Sequence, residues 1–231
     1  MIMKKSDVLF LIGAGLFFSP FFLSETLYQG YLTFNSNHPL VMSFVKFGIL
    51  ATLGEIIGLR IRSGNYLQKG FGILPRAVVW GVLGLTIKLS FVIFATGMPV
   101  FMEKMGVNGA GNAMLEALSL KKVLVAFGIS STLNLFYAPV MMTMHRITDT
   151  HIINNGGQLS ALIKPIDFAG IFSGMDWYTQ WHFVFKKTIP FFWIPAHTVT
   201  FLLPADFRVL FAAVLGIVLG ILLAIASLQK R

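Results

Sequence analysis

The sequence predicts an all-α fold: a polytopic transmembrane helical bundle of six spans, with the N- and C-termini in the cytoplasm. Composition gives the first support, because 56% of the 231 residues are hydrophobic, only 12% are charged, and the mean hydropathy is +0.78. A soluble domain carries about 25% charged residues. The second support is that the apolar residues form long blocks of the length that a membrane-spanning helix needs, roughly 20 residues.

Each apolar block ends at charged or turn-forming residues, which sets the predicted spans. The six blocks are 8–23, 39–59, 77–98, 123–144, 188–203 and 207–228. The fifth is short, because 16 residues rise only about 24 Å as a helix while a hydrocarbon core is roughly 30 Å thick. It also contains Pro190 and Pro195, so it is either a short kinked span or half of a broken helix pair with the sixth.

Basic residues outside the spans set the orientation. With a cytoplasmic N-terminus, the external segments hold few of them, namely Lys104, Lys121, Lys122 and Arg208. Cytoplasmic loops are enriched in Lys and Arg, and five spans would leave Lys230 and Arg231 outside, so this distribution favours six. The first span resembles a signal peptide. A signal peptide has small residues just before its cleavage site, but here bulky residues occupy positions 21–23, so we expect the span to be retained.

The chain divides into an N-terminal extension with the first span, 1–38, and a transmembrane bundle, 39–231. The bundle includes one long connection, 145–187, which we interpret as an interfacial loop. Trp177, Tyr178 and Trp181 suit the aromatic belt of a membrane interface and predict a helix that lies on the surface there.

Several classes of function are disfavoured by the sequence. The formal net charge of +9 fits basic loops beside an anionic leaflet better than nucleic-acid binding, since no basic stripe with interleaved aromatic residues occurs. There is no cysteine, phosphate-binding loop, nucleophile elbow or zinc signature, so we expect no enzyme, catalytic residue or cofactor. His145, Asp149 and His151 could begin a metal site, but their spacing is not a recognised one, and we expect a polar loop without metal.

Polar side chains inside the predicted spans are the main functional signal. Measured from the cytoplasmic end of each span, Lys46, Lys88, Asn134 and His197 lie about 20, 18, 17 and 15 Å deep, close to the midplane. A lysine at the centre of a span costs roughly 2.5–3.5 kcal/mol. The four residues therefore indicate a hydrated path for anions or polar neutral solutes; the alternative is snorkelling lysines and hydrogen bonds that only hold helices together.

Glu55 is the only acidic residue within a predicted span. It lies about 6 Å from the cytoplasmic end and on the opposite face of its helix from Lys46, nine residues earlier, so these two cannot pair. Glu55 can reach Arg60 or Arg76, whereas the sequence offers no partner for Lys46.

Two motifs resemble the Mpv17/PMP22 family of small multi-span membrane proteins. The first is PLVMSFVKFGILATLGEIIG, where Pro39, Gly48, Leu50, Gly54 and Glu55 stand in places of the family pattern, with Arg76 and Gly84 following. The second and more specific is FFWIPAHTVTFLLPADFR, similar to the family's Trp-Pro, Asn-Phe and Pro-x-x-x-Arg signature. In it the matching residues are Trp193, Pro195, Phe201, Pro204 and Arg208. The resemblance covers about residues 39–228 and is that of a divergent, possibly prokaryotic, member.

The resemblance implies a protein without catalytic activity, in the plasma (inner) membrane of a prokaryote or an organelle membrane of a eukaryote, and some members of the family are regarded as channels for small solutes. Together with the polar midplane, it predicts a pore for small hydrophilic solutes or metabolites, lined by Lys46, Glu55, Lys88, Asn134 and His197. Arg208 would shape the outer mouth or hold the proline-rich junction. The expected partners are membrane lipids, small polar or anionic solutes and, in a homo-oligomer, further copies of the chain. The alternative is a non-transporting protein that stabilises a membrane complex.

Overall fold

The structure is a computed structural model that describes the backbone of residues 3–228 and the side chains of residues 3–222. This part of the chain is helical and contains no strand. Its α-helices are α1 (Lys5–Leu23), α2 (Glu25–Asn37), α3 (Pro39–Ser63), α4 (Ile73–Lys104), α5 (Ala110–Ala113), α6 (Leu120–Thr132), α7 (Ala138–Asn154), α8 (Phe168–Ser173), α9 (Trp177–Thr179), α10 (Ile194–Leu202) and α11 (Ala205–Leu228). Two π-helical segments, π1 (Leu133–Tyr137) and π2 (Gln180–Trp193), and a 3-10 turn (Leu159–Ile163) complete it.

Five of these helices are long and apolar enough to cross a membrane. They are Lys5–Leu23, Pro39–Ser63, Ile73–Lys104, Leu120–Asn154, which joins α6, π1 and α7, and Ala205–Leu222. The first four contain the predicted spans one to four, and the whole of α11, Ala205–Leu228, contains the sixth. The predicted fifth span, 188–203, is divided between π2 and α10 instead of forming one long apolar helix. Lys230 and Arg231, on which the cytoplasmic placement of the C-terminus rests, lie outside the described residues.

Local chemistry explains where α3 begins and ends. Pro39 occupies the first turn, where its missing N–H costs no hydrogen bond, and Gly64 ends the helix in a left-handed conformation with φ of 78°. The helix therefore continues four residues beyond the predicted boundary at residue 59. Glu55 lies eight residues, about 12 Å, from the end of α3 instead of about 6 Å.

The two π-helical segments lie next to prolines. Pro139 follows π1 in the first turn of α7, Pro190 lies inside π2, and Pro195 follows π2 in the first turn of α10. Proline has no N–H to donate to the carbonyl four residues earlier, so a local change to the wider i→i+5 pattern accommodates it. The backbone N–H of Ile194, for example, donates to the carbonyl of Ile189.

The connection 145–187 is more regular than the predicted loop. Helix α7 continues to Asn154, and π2 begins at Gln180, so both ends of the connection are helical. Helix α7 continues through a polar stretch because the polar side chains are satisfied within it. The hydroxyl groups of Thr148 and Thr150 donate to backbone carbonyls of the preceding turn. As a result Asp149, expected in a loop, occupies a helix beside the bundle.

Helix α3 is the central element, packed along α4 on one side and along α11 on the other. The end of the bundle that carries the α3–α4 turn is called the near end below, and the opposite end the far end. The main core joins buried residues of α3, α4, α6 and α11. Close approach of α3 and α4 requires Gly84, because a Cβ there would lie 2.7 Å from the backbone oxygen of Ser43 and from Cβ of Phe47.

Helix α1 is attached to the near end by one buried ion pair. Arg60 donates from Nε and Nη2 to the two carboxylate oxygens of Asp7, at 2.7 and 2.6 Å, and Tyr66 donates to Asp7 at 2.9 Å. The exposed fractions of Asp7 and Arg60 are 7% and 2%. Most other residues of α1 are exposed, as in a helix that faces lipid.

We expect Gly84→Ala to lower the free energy of unfolding by about 1–3 kcal/mol, because the added methyl group meets backbone and Cβ atoms that cannot move away freely. Thermal unfolding in detergent micelles measures the effect. Gly97→Ala is the matched control, since Gly97 is also inside α4 but has open space around its Cβ position. Equal unfolding temperatures for the two variants would contradict the prediction.

Candidate functional site

A partly buried ion network, centred on the buried Arg76, joins three helices at the near end. Nη1 of Arg76 in α4 lies 2.6 Å from Oε2 of Glu55 in α3 and 2.6 Å from Oδ1 of Asp149 in α7. Arg76 is 4% exposed, and its Nε donates to the carbonyl of Phe71. One guanidinium group therefore pairs with carboxylates of two helices that are distant in sequence.

Two ring nitrogens complete the surroundings of Glu55. Trp80 Nε1 donates to Glu55 Oε1 at 2.9 Å. His145 Nε2 also donates to this oxygen, at 2.9 Å. The two rings pack together with centroids 4.3 Å apart. Both carboxylate oxygens of Glu55 thus have charged or polar donors, which is what a buried carboxylate requires.

Glu55, His145 and Asp149 also have the composition of a metal site. Their potential ligand atoms lie within 4.8 Å of one another. However, Arg76 Nη1 already contacts both carboxylates at 2.6 Å, so a metal ion would have to displace a guanidinium group from the same oxygens. His151, the third residue of the metal motif considered from the sequence, is directed elsewhere, with Nε2 2.9 Å from the carbonyl oxygen of Ala161.

A second polar group lies farther along the bundle, where π1 faces α10. The side-chain amide of Asn134 lies 3.1–3.2 Å from His197 Nδ1 and also donates to the carbonyl of Ser130. The hydroxyl of Ser130 donates to the carbonyl of Ile194. Asn134 and Ser130 are almost fully buried, so these bonds fix α10 against α6.

A cavity of about 880 Å³ connects the ion network with the Asn134–His197 pair. Its walls come from α3, α4, π1, α7, π2, α10 and α11. Polar and charged lining residues include Glu55, Arg62, Lys69, Arg76, Trp80, Asn134, His145, Arg146, Asp149, Asp176, Gln180, Thr188, Trp193 and His197. At the far end of the cavity, the ring of Phe91 packs on Phe201 and on His197, with centroids 5.0 and 5.6 Å apart.

Of the five residues predicted to line a pore, the structure brings three to this cavity: Glu55, Asn134 and His197. Lys46, Lys88 and Arg208 are not among its lining residues. Arg208 contacts the proline-rich α10–α11 junction, one of the two placements expected of it: its Nε donates to the carbonyl of Leu203, and its guanidinium lies 5.7 Å from the centre of the Phe201 ring.

Lys46 belongs to a polar cluster at the far end. It is 5% exposed, its ammonium donates to the Asn35 side chain, and it lies 5.2 Å from the centre of the Tyr31 ring. Lys88 and Asp206 are close enough to act on it electrostatically. The segment before Pro39 has no long apolar block, so the sequence gave no reason to place it beside Lys46. In the structure this segment forms α2, and its Asn35 is the partner of Lys46.

Sequence reasoning placed Arg76 within reach of Glu55 but missed three members of the network: Trp80, His145 and Asp149. One signal was present, because His145 and Asp149 are four residues apart and would share a face if the helix continued. Nothing in the sequence indicated a contact between Trp80 and Glu55, since a tryptophan within an apolar span is common.

Comparison of the chain with protein-family models, with curated proteins and with solved structures finds no match. The resemblance to the Mpv17/PMP22 family therefore stays a prediction from the two motifs.

We expect Arg76→Met to lower the free energy of unfolding by about 1–3 kcal/mol, because it leaves the partly buried carboxylates of Glu55 and Asp149 without their shared cation. The triple variant Arg76→Met, Glu55→Gln, Asp149→Asn should recover part of that loss, since no uncompensated charge remains. Thermal unfolding in detergent measures both. Arg62→Gln, an exposed arginine on the same cavity rim, is the control, and an equal loss from it would contradict this account.

Proposed function

We propose that this protein is an integral membrane protein whose helices enclose a pathway for small hydrophilic solutes, closed in the described conformation at the far end. The observation that carries the proposal is the cavity of about 880 Å³, which extends from charged residues at the near end to the Asn134–His197 pair. Buried ionisable residues that face a cavity inside a membrane bundle are typical of solute and ion pathways.

Six crossings are part of the proposal. Ile189 of π2 packs against Ala138 of α7, and His197 of α10 contacts Asn134 of π1, so π2 and α10 follow the α6–α7 helix in the opposite direction. Together they extend from the near end, where Gln180 lines the cavity with Asp149, to the far end, where α11 begins. If π2 and α10 together count as one membrane crossing, the total is six, because the five long apolar helices supply the other five.

The near end is the proposed cytoplasmic side. Arg62, Lys69 and Arg146 line the cavity there, and Lys4 donates to the carbonyl of Gly64 at the same end. This concentration of basic residues follows the rule for cytoplasmic loops. The cavity then faces the cytoplasm, and aromatic packing of Phe91 with Phe201 separates it from the opposite side.

The charge of the pathway differs from the one inferred from Lys46 and Lys88. Inside the cavity, the single charge of Arg76 is paired with two carboxylates, Glu55 and Asp149, while the outer rim carries the additional basic residues. Polar neutral solutes and small anions are therefore the proposed cargo, with the attraction for anions placed at the rim rather than at the midplane.

Flux through liposomes tests the proposal. Vesicles containing the purified protein should release trapped sorbitol and gluconate faster than protein-free vesicles. Gly216→Phe should return both rates to the protein-free level, because Gly216 lines the cavity and has open space where the new ring would extend. Gly15→Phe is the control, since Gly15 in α1 also has open space but does not line the cavity.

Two results would overturn the pathway. Wild-type vesicles that stay tight to both solutes, in a verified orientation, would exclude it. Vesicles in which Gly15→Phe and Gly216→Phe reduce flux equally would show that the measured leak does not use the cavity. Tight vesicles together with co-purification of a stoichiometric partner would favour the alternative, a non-transporting protein of a membrane complex.

A further inference from the structure

The ion network at the near end has one more negative than positive charge when His145 is neutral. Glu55 and Asp149 supply two carboxylates, and both are paired with the single guanidinium of Arg76, at 2.6 Å each. The side chains of Glu55 and Asp149 are only 17% and 14% exposed. Because a partly buried charge without a counter-ion is costly, one further positive charge would stabilise the network.

The imidazole of His145 lies where that positive charge is needed. Its Nε2 donates to Glu55 Oε1 at 2.9 Å and lies 3.5 Å from Asp149 Oδ1. The indole ring of Trp80 packs on the imidazole, with ring centroids 4.3 Å apart. Two carboxylates and an aromatic face are surroundings that stabilise a cation, so the imidazolium form of His145 completes the network.

The free nitrogen of His145 gives a proton access to this position. Nε2 already carries a hydrogen, so an incoming proton binds to Nδ1, and the imidazolium that forms keeps its Nε2–H bond to Glu55. Nδ1 has no hydrogen-bond partner among the described residues, and the side chain, 21% exposed, lines the cavity. His145 can therefore gain and lose a proton from the cavity without breaking a hydrogen bond.

The other charged residues that line the cavity lie at its rim and are exposed. They are Arg62 of α3, Lys69 of the α3–α4 turn, Arg146 of α7 and Asp176, which precedes α9. The described lining residues of α11 and π2 carry no charge, and Tyr137 of π1 and His197 of α10 are the further titratable ones. Water and salt screen exposed charges, so the charge balance inside the network depends mainly on His145.

The charge of the network controls whether the near end can close. Helix α3 packs along α4 and α11, and α7 packs on α4, so the cavity lies between α3 and α11 on one side and α7 and π2 on the other. In an alternating-access cycle the near end closes before the far end opens. Closure removes water from the network, and this loss of water is costly for a net negative charge but not for a network that protonated His145 has neutralised.

We propose that His145 is a proton-binding residue and that one proton accompanies each solute molecule across the membrane. This inference deepens the proposed function and rests on it, since it assigns the coupling ion of the same cavity. Acidic and histidine side chains inside a helical bundle serve as proton sites in membrane transporters. The proton binds to Nδ1 while the near end is open and leaves from Nδ1 when water reaches the network from the far side.

Proton movement driven by a sorbitol gradient tests the coupling. Vesicles that contain the purified protein and trapped pyranine, with valinomycin and equal potassium on both sides, receive labelled sorbitol from outside. The interior should become acidic as sorbitol enters, by about one proton per sorbitol molecule, because the network lacks one positive charge. Without sorbitol, or without protein, the interior should not become acidic.

Variants of the network separate proton binding from solute entry. His145→Gln keeps a donor for Glu55 but cannot bind a proton, so the network stays negative and sorbitol entry should slow about tenfold. Asp149→Asn removes the extra negative charge, so the sorbitol that enters should carry no protons. The double variant His145→Gln, Asp149→Asn should admit sorbitol faster than His145→Gln alone, again without protons.

His151→Gln is the matched control, since His151 is in the same helix but bonds to the carbonyl of Ala161 and is not a lining residue. It should move protons and sorbitol in the wild-type ratio. Elution of each variant at the wild-type volume confirms that it is folded.

The outcomes distinguish the coupling from the pathway itself. Sorbitol entry into wild-type vesicles without acidification overturns the coupling and leaves the pathway standing. A wild-type proton ratio in His145→Gln or Asp149→Asn, or a double variant as slow as His145→Gln, also overturns the assignment of the proton to this network. Vesicles tight to both sorbitol and gluconate overturn the pathway and the coupling together.

Discussion

Arg76 makes the contact on which the arrangement of the near end depends. A single guanidinium nitrogen lies 2.6 Å from carboxylates on two other helices, so α3, α4 and α7 are held in one register. Partly buried carboxylates need such a partner to offset the free-energy cost of their desolvation. Trp80 and His145 then occupy the remaining positions around Glu55, which turns a costly set of buried charges into a compact, satisfied network.

The cavity exists because α3 and α4 pack closely on one side of it, while π1 and π2 form a wider wall on the other side. Gly84 lets α3 and α4 approach until their backbones nearly touch. On the other side, the proline-associated segments π1 and π2 widen the wall, and α10 is fixed to α6 by the bonds of Ser130 and Asn134. Close packing on one side and wide helices on the other leave the space between them open.

Contacts around the candidate site could be predicted from the sequence where position along a helix is sufficient, and could not where the partner comes from another element. Asn134 and His197, placed at similar depth on different helices, do meet, and Arg76 does reach Glu55. Lys46 and Lys88 were placed at the same depth but do not line the cavity, since depth says nothing about the direction of a side chain around its helix. Asn35, the partner of Lys46, comes from a helix with no apolar signal.

The sequence by itself determined that this is an all-helical chain with long apolar helices, and it located the apolar blocks on which five of them are built, because hydrophobic block length and turn residues act locally. Only the tertiary structure decided which charges meet. Asp149 belongs to the network because α7 continues past its apolar part, and Gln180 and Trp193 share a face because π2 is wound more widely than an α-helix. Which side chains these helices then bring together depends on contacts between segments far apart in the chain, such as Arg76 with Asp149, which local patterns do not encode.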